Sequence, residues 1–299
     1  MPDGRTLPFP TLGGKQLWGD VFGVAGHRIQ RNMVTGTHRL LDARDFRLAW
    51  GTYAECIEVF EDHAASHGVE PISDHLVLLL HGMFRSKDAF RGMRHALRDA
   101  GYDPLAVNYP STRRTVQAHA AQVAELLDNA ADYYRRVSFV CHSLGGVVAR
   151  VVLSSDDGWQ DRLEVNRLVT IGTPNRGAAM VDLLGAFWAF RQVAGPASTD
   201  ISTRRIVDVP LPSCPFGVVA GVRGDGAGYN PFIEGDDDMV VGVRSALLDE
   251  AEDQLVLPAV HTFIMNHPQV VSSTLRYLDT GRFVEGDSPR RAVSSDDED

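Results

Sequence analysis

The fold is decided by one continuous stretch, Val137-Ser138-Phe139-Val140-Cys141-His142-Ser143-Leu144-Gly145-Gly146. Its first four residues are a short apolar, β-branched run, which is typical of a buried strand. The residues from Gly146 to Leu153 can wind as a helix. A serine between such a strand and helix lies on a tight turn, which exposes its hydroxyl and directs helix N–H groups at whatever binds beside it. The pattern is close to Gly-x-Ser-x-Gly, with Cys141 in place of the first glycine, and it predicts that Ser143 is a nucleophile.

The composition excludes several classes of protein. The 299 residues carry 39 acidic and 29 basic side chains, a formal net charge of −10. Nucleic-acid binding needs clustered Lys and Arg, so the acidic balance argues against it, and it also disfavours docking on anionic membranes. Part of the charge lies in the C-terminal run Ser294-Ser295-Asp296-Asp297-Glu298-Asp299.

The chain shows no sign of a secreted or membrane-spanning protein. Its three cysteines provide no disulfide framework and fit a reducing compartment. Residues 1–5 contain no basic region followed by an apolar run, so no secretory signal is visible. No apolar run approaches the length of a transmembrane helix. We therefore expect a cytoplasmic protein without a membrane span.

Strand and helix patterns alternate regularly from His75 onward. Apolar strand patterns occur at residues 76–80, 104–107, 137–141 and 166–171, with helical patterns between them. This alternation predicts an α/β fold with a mainly parallel central sheet flanked by helices. In such sheets the ligand lies at the carboxyl ends of the strands. The loops 81–86 and 108–112 should therefore converge on the Ser143 turn.

Three further segments surround this pattern. Residues 1–70 are interpreted as an N-terminal extension packed on the core, of which residues 1–15 form a loose arm. The capping box Thr52-Tyr53-Ala54-Glu55 predicts a helix that runs to about His67. Residues 71–283 form the predicted catalytic domain. Within it, the apolar helix and proline-rich segment at 178–213 are interpreted as a lid or cap insertion over the strand ends, although one more core helix is the alternative. Residues 284–299 are predicted to be a disordered acidic tail.

A nucleophilic serine needs a base within hydrogen-bond reach. His261 follows the last predicted strand, on a loop that should reach the same edge of the sheet as Ser143. His142 adjoins the serine, but neighbours on a tight turn point in different directions. His267 precedes Pro268 and is more typical of the start of the last helix. We therefore favour His261.

The base in turn needs an orienting acid. The order Ser…Asp…His, which is that of the α/β hydrolases, places this acid on the loop after the strand at 216–220. Asp238 directly precedes the apolar run 239–241 and is the favoured candidate. Asp225, Asp236 and Asp237 remain alternatives.

An acyl-transfer site also needs donors for the negative charge that develops on the carbonyl oxygen. The backbone N–H of Leu144 is one predicted donor, and that of Met83 is the other, with Phe84 as the alternative. Gly82 allows this loop to approach the serine closely. For His81 a structural hydrogen bond is favoured over proton transfer.

Several motifs in one order resemble the bacterial lipase-like α/β hydrolases of the triacylglycerol-lipase type. They are Leu80-His81-Gly82-Met83, Asn108-Tyr109-Pro110-Ser111-Thr112, Cys141-His142-Ser143-Leu144-Gly145-Gly146, Gly172-Thr173-Pro174-Asn175-Arg176-Gly177, Asp238-Met239-Val240-Val241 and His261-Thr262-Phe263. The resemblance covers residues 74–280. It implies a triad of Ser143, Asp238 and His261, with Met83 and Leu144 in the oxyanion hole.

The chain departs from this family at two positions. Cys141 stands where glycine is usual, and Asn175 stands where the Gly-Thr-Pro-His-x-Gly run often has histidine. The second departure could change the packing of the insertion or the choice of substrate.

The sequence therefore predicts a serine hydrolase of carboxylic esters that needs no cofactor or metal. Its partner would be a small-molecule or lipid ester, bound near His81, Phe84, Phe187 and Trp188, with a hydrophobic acyl group. An acyltransferase or amidase with the same triad, or a binding protein on a hydrolase scaffold, are the alternatives. Neither the acidic run Asp236-Asp237-Asp238 nor the pair His63 and His67 is interpreted as a metal site. The oligomeric state is not indicated.

Overall fold

The computed structural model describes residues 17–178 and 195–286. In these ranges the strands are β1 Trp18–Val24, β2 His27–Asn32, β3 His38–Leu41, β4 Arg47–Gly51, β5 His75–Leu80, β6 Asp103–Val107, β7 Arg136–His142, β8 Glu164–Ile171, β9 Phe216–Val222 and β10 Asp253–Pro258. The helices are α1 Tyr53–His67, α2 Arg91–Asp99, α3 Val116–Ala130, α4 Leu144–Ser154, α5 Pro196–Asp200, α6 Thr203–Ile206, α7 Val243–Ala246 and α8 Pro268–Thr280.

The larger sheet is parallel and carries helices on both faces. Its strand order is β10-β9-β8-β7-β5-β6, and every neighbouring pair is parallel. All six residues of β5 are buried, and they alternate between two core clusters. Leu76, Leu78 and Leu80 pack with α3 and α4, whereas Val77 and Leu79 pack with α2 and α8. The predicted α/β class with a parallel central sheet is confirmed.

A second sheet, of order β1-β2-β3-β4, is antiparallel and was not predicted. It lies in the segment interpreted only as an extension. Its strand β1 packs along α3, and its apolar residues join the core cluster of α3 and α4. The limits of the domains themselves stay a prediction.

Helix α1 forms as the capping box predicts. The Thr52 side chain accepts from the Glu55 amide, and the Glu55 carboxylate accepts from the Thr52 amide at 2.7 Å. The helix ends at Gly68, whose φ of 62° lies in the left-handed region that favours glycine.

Helix α2 is preceded by a 3₁₀ segment and does not start directly after loop 81–86. Ser86 precedes a short 3₁₀ segment, Lys87–Phe90, and its hydroxyl makes no capping hydrogen bond. The hydroxyl contacts the Asp88 carboxylate at 3.3 Å instead. The α-helix α2 follows this segment.

Part of the predicted insertion packs against the core. Ala197 of α5 and Ile206 of α6 are buried in the core cluster of α3 and α4. The Arg150 guanidinium, on α4, donates to the carbonyl oxygens of Val209 and Pro210 at 2.5 and 3.0 Å. The predicted arm 1–15, residues 179–193 of the predicted apolar helix with Phe187 and Trp188, and residues 287–299 of the predicted tail lie outside the described residues.

Candidate active site

Ser143 lies on a strained turn between β7 and α4. Its φ of 54° and ψ of −122° are sparsely populated for a residue with a side chain. Glycines make the turn possible, because a Cβ on Gly145 would collide with the Leu80 carbonyl and one on Gly146 with the Thr173 side chain. The predicted strand–turn–helix at Ser143 is therefore confirmed. Ser143 retains 9% of its surface exposed.

Cys141, the first departure from the usual pattern, is fully buried in β7. Burial raises the pKa of its thiol well above the ordinary value. The thiol therefore stays protonated and does not compete with Ser143 as a nucleophile.

His261 lies within hydrogen-bond reach of Ser143. Its Nε2 is 3.0 Å from Ser143 Oγ, and its Nδ1 is 2.7 Å from Asp238 Oδ2. A carboxylate oxygen accepts hydrogen bonds, so in this arrangement His261 Nδ1 donates to Asp238 and Nε2 is free to accept from the serine hydroxyl. The His261 amide also donates to the Asp238 carbonyl oxygen at 2.9 Å. The structure thus brings Ser143, His261 and Asp238 into one continuous array of hydrogen bonds.

Asp238 is held by a tight turn. Its Oδ1 accepts from the amides of Val240 and Val241 at 3.0 and 2.8 Å, and Met239, directly after Asp238, has a φ of 90°. Asp238 is 1% exposed, and both of its carboxylate oxygens have hydrogen-bond partners inside the protein.

The other carboxylates of this loop have different partners. Asp236 accepts from the amides of Arg223 and Gly224, and Asp237 from those of Asn230 and Met239. Burial acts to raise the pKa of Asp236, but its backbone hydrogen bonds outweigh this and lower the pKa. Asp225 pairs with Arg223 at 2.9 Å. None of the three is hydrogen-bonded to His261 in the described residues.

The loop after β5 lies against the Ser143 turn. A Cβ on Gly82 would lie 3.0 Å from Ser143 Cβ, so a side chain at this position would push the two segments apart. The Leu144 amide is the first of helix α4 and has no acceptor within the helix. Within this loop, Met83 is partly buried, whereas Phe84 is 54% exposed and has a φ of 60°. The predicted convergence of loop and turn is therefore confirmed, and the donor roles of Met83 and Leu144 stay predictions.

His81 lies beneath the site. Its side chain is fully buried, its Nδ1 is 2.8 Å from the Gly82 carbonyl oxygen, and its ring stacks on Tyr109 at 4.2 Å. The Tyr109 hydroxyl donates to the His81 carbonyl oxygen. Burial lowers the pKa of His81 to about 4, so the ring is neutral. The His81 side chain is buried among the described residues and holds loops 81–86 and 108–112 together, which is the structural role favoured for it; its contact with substrate stays a prediction.

The two rejected histidines lie where the sequence argument places them. His142 Nε2 is 3.0 Å from the His261 carbonyl oxygen, so this ring is hydrogen-bonded to the loop that carries His261 and not to the serine hydroxyl. His267 is the residue directly before α8.

Asn175, the second departure, is a buried structural link. Its side-chain amide donates to the Ala246 carbonyl oxygen at 2.7 Å. The backbone carbonyl oxygen of Asn175 accepts from the Arg150 guanidinium at 2.8 Å. It therefore connects the segment after β8 to α4 and α7. Neither this link nor the role of Tyr109 was predicted, since both depend on residues distant in sequence.

No group of three or more His, Cys, Asp or Glu side chains that could hold a metal occurs in residues 17–178 and 195–286. His63 and His67 stack at 4.2 Å, and His67 Nδ1 is 3.0 Å from the His63 carbonyl oxygen. Within the same ranges, no helix has the length and apolar character needed to cross a bilayer.

Known proteins with a similar architecture identify the fold. A family described as a domain of unknown function (DUF7379) matches residues 44–184. No curated protein matches the chain. Among solved structures, the mature lipase BlEst2 of Bacillus licheniformis is similar, with 20% identity and a TM-score of 0.57 over 70% of this chain and 92% of that one. The chain has the α/β-hydrolase fold.

Two further solved structures share the fold. The metagenomic carboxyl esterase MGS0156 is 14% identical with a TM-score of 0.52, over 69% of this chain and 76% of that one. Phospholipase PlaB from Legionella pneumophila is 16% identical with a TM-score of 0.52, over 69% of this chain and 59% of that one. The resemblance to bacterial lipase-like α/β hydrolases is thus confirmed at the level of the fold.

Proposed function

We propose that the protein is a serine hydrolase that cleaves carboxylic esters through an acyl-enzyme on Ser143. The observation that carries the proposal is the array Asp238–His261–Ser143, with 2.7 and 3.0 Å between its hydrogen-bonded atoms. The array lies at the carboxyl edge of a parallel sheet, where α/β folds bind their ligands. The fold shared with proteins named as lipase, carboxyl esterase and phospholipase also supports it.

In the first half of the reaction, Ser143 Oγ attacks the ester carbonyl carbon while its proton passes to His261 Nε2. Asp238 stabilises the resulting imidazolium and keeps the ring oriented. The negative charge on the carbonyl oxygen is held by the amides of Leu144 and Met83. The tetrahedral intermediate then collapses, and the alcohol leaves with the proton from His261.

In the second half, water takes the place of the alcohol. His261 accepts a proton from the water, the hydroxide attacks the acyl carbon, and the acid is released as Ser143 recovers its proton.

Exposed apolar side chains lie one or two positions after three residues of the site in the sequence. Phe84 follows Met83, Met239 follows Asp238, and Phe263 lies two residues after His261; their exposures are 54%, 50% and 71%. These side chains favour an ester with a substantial apolar group over a small polar one.

The test compares wild-type protein with Ser143→Ala on p-nitrophenyl esters from acetyl to palmitoyl. We expect kcat to fall on the order of 10⁴- to 10⁶-fold in the variant. A folded Ser143→Ala protein with wild-type turnover would contradict the proposal. Adding an alcohol acceptor to the wild-type reaction distinguishes hydrolysis, which releases the acid, from acyl transfer, which forms a new ester.

A further inference from the structure

His142 contacts the segments that build the proposed site. Through the chain it adjoins Ser143. Its Nε2 lies 3.0 Å from the His261 carbonyl oxygen, and the two imidazole rings are 4.8 Å apart between centroids. On its other side, a Cβ on Gly82 would lie 2.9 Å from His142 Nδ1. The ring is thus packed among the nucleophile turn, the loop of the base and the loop of the oxyanion donors.

The protonation state of His142 follows from its partners. A carbonyl oxygen can only accept a hydrogen bond, so His142 Nε2 carries a proton and donates a hydrogen bond to the His261 backbone carbonyl oxygen. Burial lowers the pKa of His142 well below the ordinary value, and the hydrogen bond to the His261 carbonyl oxygen offsets this only in part. The ring therefore remains a neutral donor while His261 gains and loses its proton.

The backbone of His261 is consequently held on both sides. Its N–H donates to the Asp238 carbonyl oxygen at 2.9 Å, and its C=O accepts from His142. The Asp238 bonds fix the base relative to the acid, whereas the His142 bond fixes it relative to the residue before the nucleophile.

The second ring nitrogen of His142, Nδ1, is buried without a hydrogen bond among the described residues, which is unfavourable for the stability of the fold. His142 is 2% exposed, and its Nδ1 has no hydrogen-bond partner in the described part of the chain. A buried polar atom without a partner destabilises the fold. An apolar side chain would avoid that cost but would not donate to His261.

We infer that His142 is a positioning residue: its Nε2–H holds the His261 backbone so that the imidazole stays within proton-transfer distance of Ser143. The inference rests on the proposed function, because it assigns His142 a role only if His261 is the base. Misplacing a reacting group by about 1 Å can cost on the order of 100-fold in rate, so the effect is measurable.

The experiment compares three variants on p-nitrophenyl butyrate. His142→Phe fills the space of the ring without a donor, His142→Gln offers an amide N–H at about the reach of Nε2, and His142→Asn is polar but too short. We expect kcat to fall about 10- to 100-fold in the Phe and Asn variants with KM little changed, and the Gln variant to recover most of the loss. Near-UV circular dichroism and the thermal midpoint establish that each variant is folded.

Two results would overturn the inference. One is wild-type kcat in either the Phe or the Asn variant; the other is a loss in the Gln variant as large as that in the Asn variant. If the Phe variant fails to fold, the Gln and Asn pair still decides. Ser143→Ala in the same assay separates the two claims: turnover that survives there contradicts the proposed function, whereas an inactive Ser143→Ala beside fully active His142 variants contradicts only the positioning role.

Discussion

The two sheets differ in how they use polar residues. Strand β5 of the parallel sheet carries a single polar residue, His75 at its start, and the proposed reacting groups Ser143 and His261 lie beyond the strand ends, 9% and 8% exposed. The antiparallel sheet has a buried polar pair within its strands. Asp20 and Gln30 have no exposed surface and are hydrogen-bonded to each other at 2.6 Å.

The difference shows two uses for a polar group. At the edge of the parallel sheet lie the polar groups that we propose to react with a substrate. In the antiparallel sheet they serve for attachment: Asp20 Oδ2 accepts from the Asn108 amide at 2.6 Å, and Asn108 Oδ1 accepts from the Lys87 amide at 3.0 Å. Asn108 and Lys87 border loops 108–112 and 81–86, so the second sheet is joined to the loops that line the proposed site.

The largest expected effect is on the parallel side, at Asp238. In Asp238→Asn the amides of Val240 and Val241 keep an acceptor, but His261 loses the carboxylate that selects its tautomer. We expect kcat for p-nitrophenyl butyrate to fall about 10⁴-fold with the protein folded. Asp236→Asn, in the same loop but without a bond to His261, is the matched control and should keep its kcat. Equal kcat in the two variants would contradict the assignment of Asp238.

On the antiparallel side, removal of a buried attachment should destabilise the fold. Asp20→Ala leaves the Gln30 side chain and the Asn108 amide without their acceptor. We expect the free energy of unfolding in urea to fall by about 2–4 kcal/mol. The control is Glu125→Ala, which breaks the partly exposed ion pair of Glu125 with Arg31 and should cost less than about 1 kcal/mol. Equal losses would mean that burial does not distinguish these two attachments.

A smaller effect concerns the buried histidines of the parallel half. Burial lowers the pKa values of His75, His81 and His119 to about 4 each. Between the ordinary histidine pKa of about 6.5 and this value, the unfolded chain binds protons that the folded protein does not. These histidines therefore contribute stability that is fully present above about pH 6.5 and is lost as the pH falls towards about 4.

Urea midpoints measured from about pH 7 to pH 4.5 check this dependence. Each such histidine contributes at most about 1.4 kcal/mol per pH unit. His75→Gln, which retains a partner for the Ser138 hydroxyl, should flatten the dependence, whereas His95→Gln on the exposed face of α2 should not. A midpoint that does not change over this range, or that rises on acidification, would contradict the expectation.

The parallel sheet and its turns were predictable because their sequence signals lie within short stretches of the chain. A strand buried on both faces must be apolar, as residues 76–80 are, and glycines at 145 and 146 indicate a turn with close neighbours. The order of Ser143, Asp238 and His261 then placed each side chain after a strand, at one edge of the sheet.

The antiparallel half was not predictable because its burial depends on pairing between distant residues. Strand β2 reads His-Arg-Ile-Gln-Arg-Asn, which looks like a solvated segment, yet Arg28 and Gln30 are buried. Gln30 accepts from Arg39 at 2.7 Å and donates to Asp20, and neither partner is marked by the sequence around it. The stacking of His81 on Tyr109 was not predictable for the same reason, since the two residues come from different loops.

The central claim is that Ser143 is activated by His261 and Asp238, and the most direct measurement is phosphonylation by a fluorophosphonate followed by peptide mass mapping. Only an activated serine reacts readily with this probe. The account predicts one adduct per chain, on the peptide that contains Ser143, with esterase activity lost in proportion and no adduct in Ser143→Ala. Labelling of another serine, or activity that persists after Ser143 is fully modified, would contradict it.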